Sequence, residues 1–214
     1  MSNKRITANY VAGSGDIGFA QVLHDAPLLL KSSPACTIQG KIETVRNSIE
    51  SALYLNPDLS PDLNYLLYYL NRNIFSLASF CYLKANTDKH LLPFSLIEWM
   101  DKNIKLLQEE LGHCPDFLYH NHPTLISLDK LRIDIRELER YFIRWRYSNE
   151  VVGFLLLKPD LTNNVNYHSA ILNRLSSYMF WAIRKEGRML KGRGELIEER
   201  YWQAVVEEWN PPIN

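Results

Sequence analysis

Leu128, Leu131, Ile135, Leu138, Phe142 and Trp145 follow one another at intervals of three and four residues. That rhythm is the period of an α-helix, and it gathers all six side chains into one stripe that has to be covered. A strand would turn alternate residues outward and could not bury such a set. The rhythm recurs along the chain. Ile38, Ile42, Val45, Ile49, Ala52 and Leu53 predict a first helix, and Leu63, Leu66, Leu67, Leu70, Ile74, Leu77 and Cys81 a second. Leu96, Met100, Ile104, Leu107 and Leu111 predict a third, the Leu128–Trp145 stripe is the fourth, and His168, Leu172, Leu175, Met179 and Ala182 mark a fifth. Helices with one apolar stripe each bury those stripes against one another, and short links make sequential neighbours antiparallel. The expectation is an all-α, antiparallel five-helix bundle of the ferritin-like up-down type.

Local signals set the expected boundaries. Residues 1–36 carry Gly13, Gly15, Gly18, Pro27 and Pro34 without helical periodicity and read as an irregular amino-terminal arm. Residues 37–187 read as the bundle, within a single domain over 1–214. Asn56-Pro57 closes the first helix, and Ser60-Pro61 opens the second as N-cap and N1. Ser95 and Glu98 have capping-box spacing at the start of the third, which Gly112 and Pro115 end; Ser127 is placed to cap the fourth. Asn149–Asn164, with the apolar run Val151–Leu157, reads as a connector holding a short strand or a hydrophobic loop. Gly187, Gly192 and Gly194 break the fifth helix, and Glu195–Trp209 reads as an extra carboxy-terminal helix closed by Pro211-Pro212.

Composition narrows the function classes. The formal net charge is zero, so bulk electrostatics direct the chain neither to nucleic acid nor to an anionic membrane. No apolar run approaches the roughly 18 residues needed to cross a bilayer. Met-Ser-Asn-Lys-Arg is not followed by an apolar stretch, so no secretory signal is expected. Cys36, Cys81 and Cys114 are an odd set without a disulfide spacing, which suits a reducing, cytoplasmic address. His113, Cys114, His120 and His122 lie close together, but their spacing matches no standard zinc pattern, and no metal site is assigned to them.

The fourth helix carries more than its stripe. Arg132, Arg136, Glu139 and Arg140 stand at i, i+4, i+7 and i+8 and share one face beside the apolar seam. Neighbouring guanidiniums repel unless carboxylates or bound anions lie among them. The face is therefore either a solvated one paired with Glu137 and Glu139 or a clamp for a polyanion, to which arginine donates two parallel hydrogen bonds.

These residues carry a resemblance. Arg132-Ile-Asp-Ile-Arg136-Glu-Leu-Glu139-Arg140 resembles the R-T-x-x-R-R-A-E-R signature of ATP:cob(I)alamin adenosyltransferases of the propanediol-utilization type. Ile171-Leu-Asn173-Arg174-Leu-Ser176-Ser-Tyr-Met-Phe180 is similar to their Y-L-N-R-L-S-D-x-L-F, and Ser14-Gly15-Asp16-Ile-Gly18 to the T-G-D-x-G of their phosphate loop. Lys31 resembles the lysine that follows that loop, Gly40-Lys-Ile-Glu43 stands where the family has G-T-V-D, and Asp116-Phe117 looks like the start of F-I-L-P-G-G. The motifs run in the family's order across residues 10 to 187.

The resemblance implies a homotrimer with sites between subunits. It implies ATP accompanied by Mg²⁺, and transfer of the 5′-deoxyadenosyl group to Co(I) of cobalamin with release of triphosphate. Arg132, Arg136 and Glu139 would be the catalytic set. Ser14, Gly15, Asp16, Gly18, Lys31, Arg140 and Asn173 would bind the nucleotide, Phe117 would lie against the corrin, and Glu43 would face Arg132 of a neighbouring subunit. The sequence departs from the pattern at Gly13, Ala20, Glu43, His120-Asn-His122, Ile133 and Glu137. Those departures motivate an alternative, a relative that holds ATP or a corrinoid without transferring the group.

Overall fold

The computed structural model describes residues 19–20, 29–81, 92–114, 118–157, 159–195 and 200–201. Seven helices are present among them: α1 (Pro34–Leu55), α2 (Pro61–Asn73), α3 (Ser76–Cys81), α4 (Phe94–Leu111), α5 (Pro123–Arg146), α6 (Asn149–Leu157) and α7 (Asp160–Gly192). Two small antiparallel ladders accompany them, β1 (Phe19–Ala20) with β2 (Leu29–Leu30) and β3 (Leu118–Tyr119) with β4 (Arg200–Tyr201).

The five long helices form the expected bundle. Cross-helix bonds give their directions. Lys41 meets Glu137, Ser48 meets Asp134 and Asn56 meets Ser127, so α1 and α5 are antiparallel. Asn173 meets Glu139 while Phe142 lies near His168, so α5 and α7 are antiparallel as well. Ser60 binds Glu186, which starts α2 at the far end of α7. Arg174 reaches Asp101 and Arg184 reaches Leu111, so α4 and α7 run parallel. Sequential long helices thus alternate up and down. The parallel pair follows because α1, α4 and α7 are the odd members of the alternation.

The α5 stripe is covered along its length: Leu128, Leu131, Ile135, Leu138 and Phe142 have no exposed surface. Ile38, Ile42, Val45 and Ile49 of α1 and Ile171, Leu172, Leu175 and Met179 of α7 belong to the same core. No described helix is long and apolar enough to cross a membrane.

Several boundaries differ from the sequence expectation, each for a local reason. Helix α1 starts earlier, at Pro34, because Ser33 caps it by accepting the Cys36 N–H at 3.3 Å. The expected second helix is broken between Asn73 and Ser76. There Leu77 and Ala78 donate to Ile74 and Phe75 at i−3, and this tighter turn leaves the apolar stripe intact and hence the break invisible in the pattern. Helix α4 begins at Phe94 behind Pro93, without a Ser95 capping box. In α5 the cap is His122, whose Nδ1 accepts the Thr124 N–H, and Pro123 occupies the first turn; Ser127 lies inside the helix and donates to the Thr124 carbonyl.

The expected connector is neither strand nor loop: Asn149–Leu157 is helical, with Val151 buried and Leu156 exposed. Nine residues apolar on most sides carry no periodicity that separates helix from strand. Helix α7 passes through Gly187, which is buried, and ends at Gly192, with Arg193 as C-cap and Gly194 just beyond it. Gly194 has φ +77°, Glu195 N–H donates to Leu190 O, and Gly194 N–H donates to Lys191 O, the paired bonds of a Schellman stop. Within the expected carboxy-terminal helix, Arg200 and Tyr201 instead pair with Tyr119 and Leu118; 196–199 and 202–214 lie outside the described residues.

His168 is wholly buried in this core, its Nδ1 2.7 Å from the Asn164 carbonyl, and burial holds its imidazole below the usual value. The unfolded chain therefore binds a proton that the folded chain resists, so the stability is complete above about pH 6.5 and is lost as pH falls toward the lower folded value. Denaturant midpoints should drop between pH 7.5 and 5.5 in circular dichroism titrations, and His168→Leu should flatten that drop; an unaltered slope in the variant would exclude His168 as its source.

Candidate functional site

Burying the α5 stripe sets the direction of the residues beside it. Arg132, Arg136 and Glu139 project along the α5–α7 groove and, with Asn173, Ser176, Ser177, Phe180 and Trp181 of α7, line an open cleft of about 360 Å³. The two motifs that stand some 40 residues apart in the chain therefore face each other across one groove, with Asn173 Nδ2 donating to Glu139 Oε1 at 3.0 Å. On α7 the lining residues follow a helical face, Asn173, Ser177, Phe180 and Trp181 at i, i+4, i+7 and i+8. Trp181 was not singled out by sequence reasoning, although this spacing from Asn173 was sufficient to find it.

The cationic side chains differ in how they are held. Arg132 is largely covered, and its Nε donates to Asp129 Oδ1 at 2.6 Å. Arg136 is exposed and has no hydrogen-bond or ion-pair partner among the described residues; the same is true of Arg140. Arg140 does not line the cleft. Glu137, on the other flank of α5, is occupied by Lys41 of α1 at 2.9 Å, and Lys41 also stands over the Tyr141 ring. Neither Glu137 nor Glu139 pairs with an arginine of the face among the described residues: Glu137 is taken by Lys41 and Glu139 by Asn173. On the cleft side, Arg136 is exposed with no acceptor among the described residues, and Glu139 is bound by the Asn173 amide.

The arm contributes through its backbone. Phe19 and Leu30 are partners in the β1–β2 ladder. The residue that follows Gly18 in sequence is thus set opposite the residue that precedes Lys31. Lys31 itself is exposed on the turn before α1 and does not line the cleft of the single chain. Ser14, Gly15, Asp16, Gly18 and Phe117 lie outside the described residues. Glu43 is exposed on α1 and accepts from Gln39 at 3.1 Å.

His113, Cys114, His120 and His122 do not converge: among the described residues no three metal-binding side chains form a cluster. His122 is used as a helix cap, and His120 Nε2 lies 3.9 Å from Asp129 Oδ1.

Comparison with known proteins agrees with this geometry. The sequence profile of cobalamin adenosyltransferases matches residues 10–186. No curated protein matches the chain in sequence. Among solved structures, an arginine-to-lysine variant of the PduO-type ATP:co(I)rrinoid adenosyltransferase from Lactobacillus reuteri, complexed with ATP, superposes with a TM-score of 0.64 at 16% identity, over 83% of this chain and 93% of that one. A phenylalanine-to-alanine variant of the enzyme from the same organism, complexed with cobalamin and ATP, gives the same score and identity over 92% of its chain. At that identity the likeness establishes a shared fold.

A polyanion should stabilise this cleft. Millimolar tripolyphosphate should raise the melting temperature, added salt should shrink the rise, and Arg136→Ala should cut it by about half or more. An equal rise in the variant, measured by differential scanning fluorimetry, would put the anion elsewhere.

Proposed function

Because this chain belongs to the cobalamin adenosyltransferase family, we propose that it transfers the 5′-deoxyadenosyl group of ATP to the cobalt of a reduced corrinoid. The observation that carries the reading is the cleft in which Arg132 and Arg136 of α5 meet Asn173 of α7. ATP and cobalamin, bound in the Lactobacillus reuteri relatives, are the proposed substrates.

In the reaction the Co(I) electron pair attacks C5′ of ATP. A cobalt–carbon bond forms, the C5′–O5′ bond breaks, and triphosphate departs with the bonding pair. Because the nucleophile is the corrinoid itself, the protein supplies no general base. Its work is alignment and stabilisation of the negative charge that grows on the triphosphate. Arg132 and Arg136 are assigned to that charge. Asn173, whose amide already bonds Glu139, holds the far wall of the groove. Ser14, Gly15, Asp16, Gly18, Lys31 and Arg140 are assigned to the nucleotide by their motif positions, and Phe117 to the corrin face. Mg²⁺ suits this site as the ATP complex, since it is commonly held by phosphate oxygens and one or two carboxylates, and Glu139 is the carboxylate lining the cleft. When bound it screens the phosphate charge. A cytoplasmic address accords with the free thiol of Cys36.

The reading also includes a homotrimer. Lys31 is exposed and does not line the cleft of its own chain, and Arg136 is exposed, so a neighbouring subunit's arm can complete the site. Glu43, exposed on α1, is assigned to that interface.

Two measurements test this. In an anaerobic assay with chemically reduced cobalamin and ATP, the protein should yield a light-sensitive cobalt–carbon product. Arg132→Ala should slow its formation about tenfold or more, as expected for loss of a charge-assisted hydrogen bond worth roughly 1.5–3 kcal/mol. No product from the native chain would overturn the activity, and tight ATP binding without product would favour a cofactor-holding relative. Sedimentation equilibrium at micromolar concentration should give three times the mass of the 25.0 kDa chain, and a stable monomer would overturn the assembly.

A further inference from the structure

The more deeply held arginine of the cleft is gripped by a side chain that no motif of the family signature contains. Asp129 precedes Arg132 by one helical turn, outside the nine-residue pattern that begins at Arg132. Its Oδ1 accepts the Arg132 Nε–H at 2.6 Å, and His120 Nε2 stands 3.9 Å from the same oxygen. The Asp129 and Arg132 side chains are only 24% and 20% exposed. An i, i+3 ion pair on an open helix face contributes little, because both side chains keep sampling other rotamers. Here covering walls restrict both, and a third group converges on the accepting atom.

The geometry of the bond carries the argument. A guanidinium donates from a side edge that includes Nε and from an end edge formed by its two Nη groups. Asp129 engages the side edge through Nε. Both Nη groups of Arg132 are without a hydrogen-bond partner among the described residues, while the side chain lines the cleft. The carboxylate therefore anchors the guanidinium without consuming the edge suited to phosphate. His120 lies just past β3, in the segment that follows Phe117 in sequence, so Asp129 Oδ1 is also where that segment meets the arginine helix.

We propose that Asp129 is a positioning residue, which accepts Nε–H of Arg132 and so aims the Nη edge at the triphosphate, with His120 bracing the carboxylate from the β3 side. This rests on the reading of the cleft as the ATP site. Positioning has a distinctive consequence. A carboxylate beside a phosphate site repels the ligand, so removing its charge does nothing to weaken ground-state binding. What its removal loses is the alignment of a donor toward charge that develops during bond breaking, and that loss appears in kcat rather than in KM.

The test uses the full chain with Co(I) corrinoid and ATP, comparing Asp129→Ala and Asp129→Asn in the native background and in Arg132→Lys. Asp129→Ala should lower kcat about tenfold while KM for ATP moves less than about threefold. Asp129→Asn retains an accepting oxygen and should recover most of the rate. Lysine has no Nε–H edge to anchor, so in the Arg132→Lys background Asp129→Ala should cost nothing further, a non-additivity that marks two residues acting as one unit. Native kcat in Asp129→Ala would overturn the proposal. So would a penalty of the same size in the Arg132→Lys background, or a loss of rate that tracks a lowered melting temperature and that asparagine does not rescue. If Arg132→Ala is impaired while Asp129→Ala is not, the proposal alone falls. If Arg132→Ala retains both ATP affinity and turnover, the ATP-site reading falls, and the positioning role with it.

Discussion

The arrangement depends on one helix being sandwiched. Helix α5 packs against α1 on one side and α7 on the other, and its apolar stripe is buried from Leu128 to Trp145. Each fully buried aliphatic or aromatic side chain contributes roughly 1.5–3 kcal/mol relative to exposure, so rotating α5 by one residue would forfeit several such terms at once. The rotation of the helix is therefore not adjustable, and the polar residues beside the stripe inherit their directions. Glu137 and Asp134 are turned toward α1, where Lys41 and Ser48 meet them. Arg132, Arg136 and Glu139 are turned toward α7, where the cleft opens. The direction of the cleft-lining side chains thus follows from core packing.

Helix α7 adds a second constraint by closing the ends of its neighbours with buried charges. Arg184, 4% exposed, donates to the carbonyls of Gly112 and Leu111, the unpaired acceptors at the carboxy-terminal end of α4. A cation at that end also meets the negative pole of the helix. Glu186, 2% exposed, accepts the Ser60 N–H at the start of α2, where a carboxylate meets the positive pole. The two side chains stand two residues apart on α7, so one short stretch of it sets the height of α4 and of α2 relative to the arginine helix. Ser60 occupies the N-cap position of α2 without a side-chain cap bond, and its own N–H is held by Glu186.

These constraints suit a reaction in which the protein contributes placement rather than a nucleophile. The groove is polar and open, with Arg132 anchored by Asp129 and Arg136 without a partner among the described residues. The ladder β3–β4 pairs Arg200 and Tyr201, beyond α7, with the segment that precedes α5, where His120 Nε2 stands 3.9 Å from Asp129 Oδ1.

The sequence by itself determined the helices and the chemistry available to them. Period-three-and-four stripes require a covered face wherever they occur, so the α-bundle and the α5 core were legible from Leu128 to Trp145. The positions of Arg132, Arg136, Glu139 and Asn173 followed from motif and spacing. Strong single-residue stops, Asn56 and the positive-φ Gly112, were legible too, because their conformational preference is local. Tertiary structure decided what local preference leaves degenerate. The apolar segment Val151–Leu157 became helix because its surroundings, not its period, chose between helix and strand. Gly187 stayed inside α7 because packing outweighed about 1 kcal/mol of helix propensity, whereas Gly194 ended the helix because two backbone bonds closed there. Arg200 and Tyr201 left their helical expectation for an edge that exists only once β3 is folded. The contacts of Arg184 and Glu186 were hidden for the same reason: a charge on a helix reads as solvated until a distant chain segment covers it and supplies the partner.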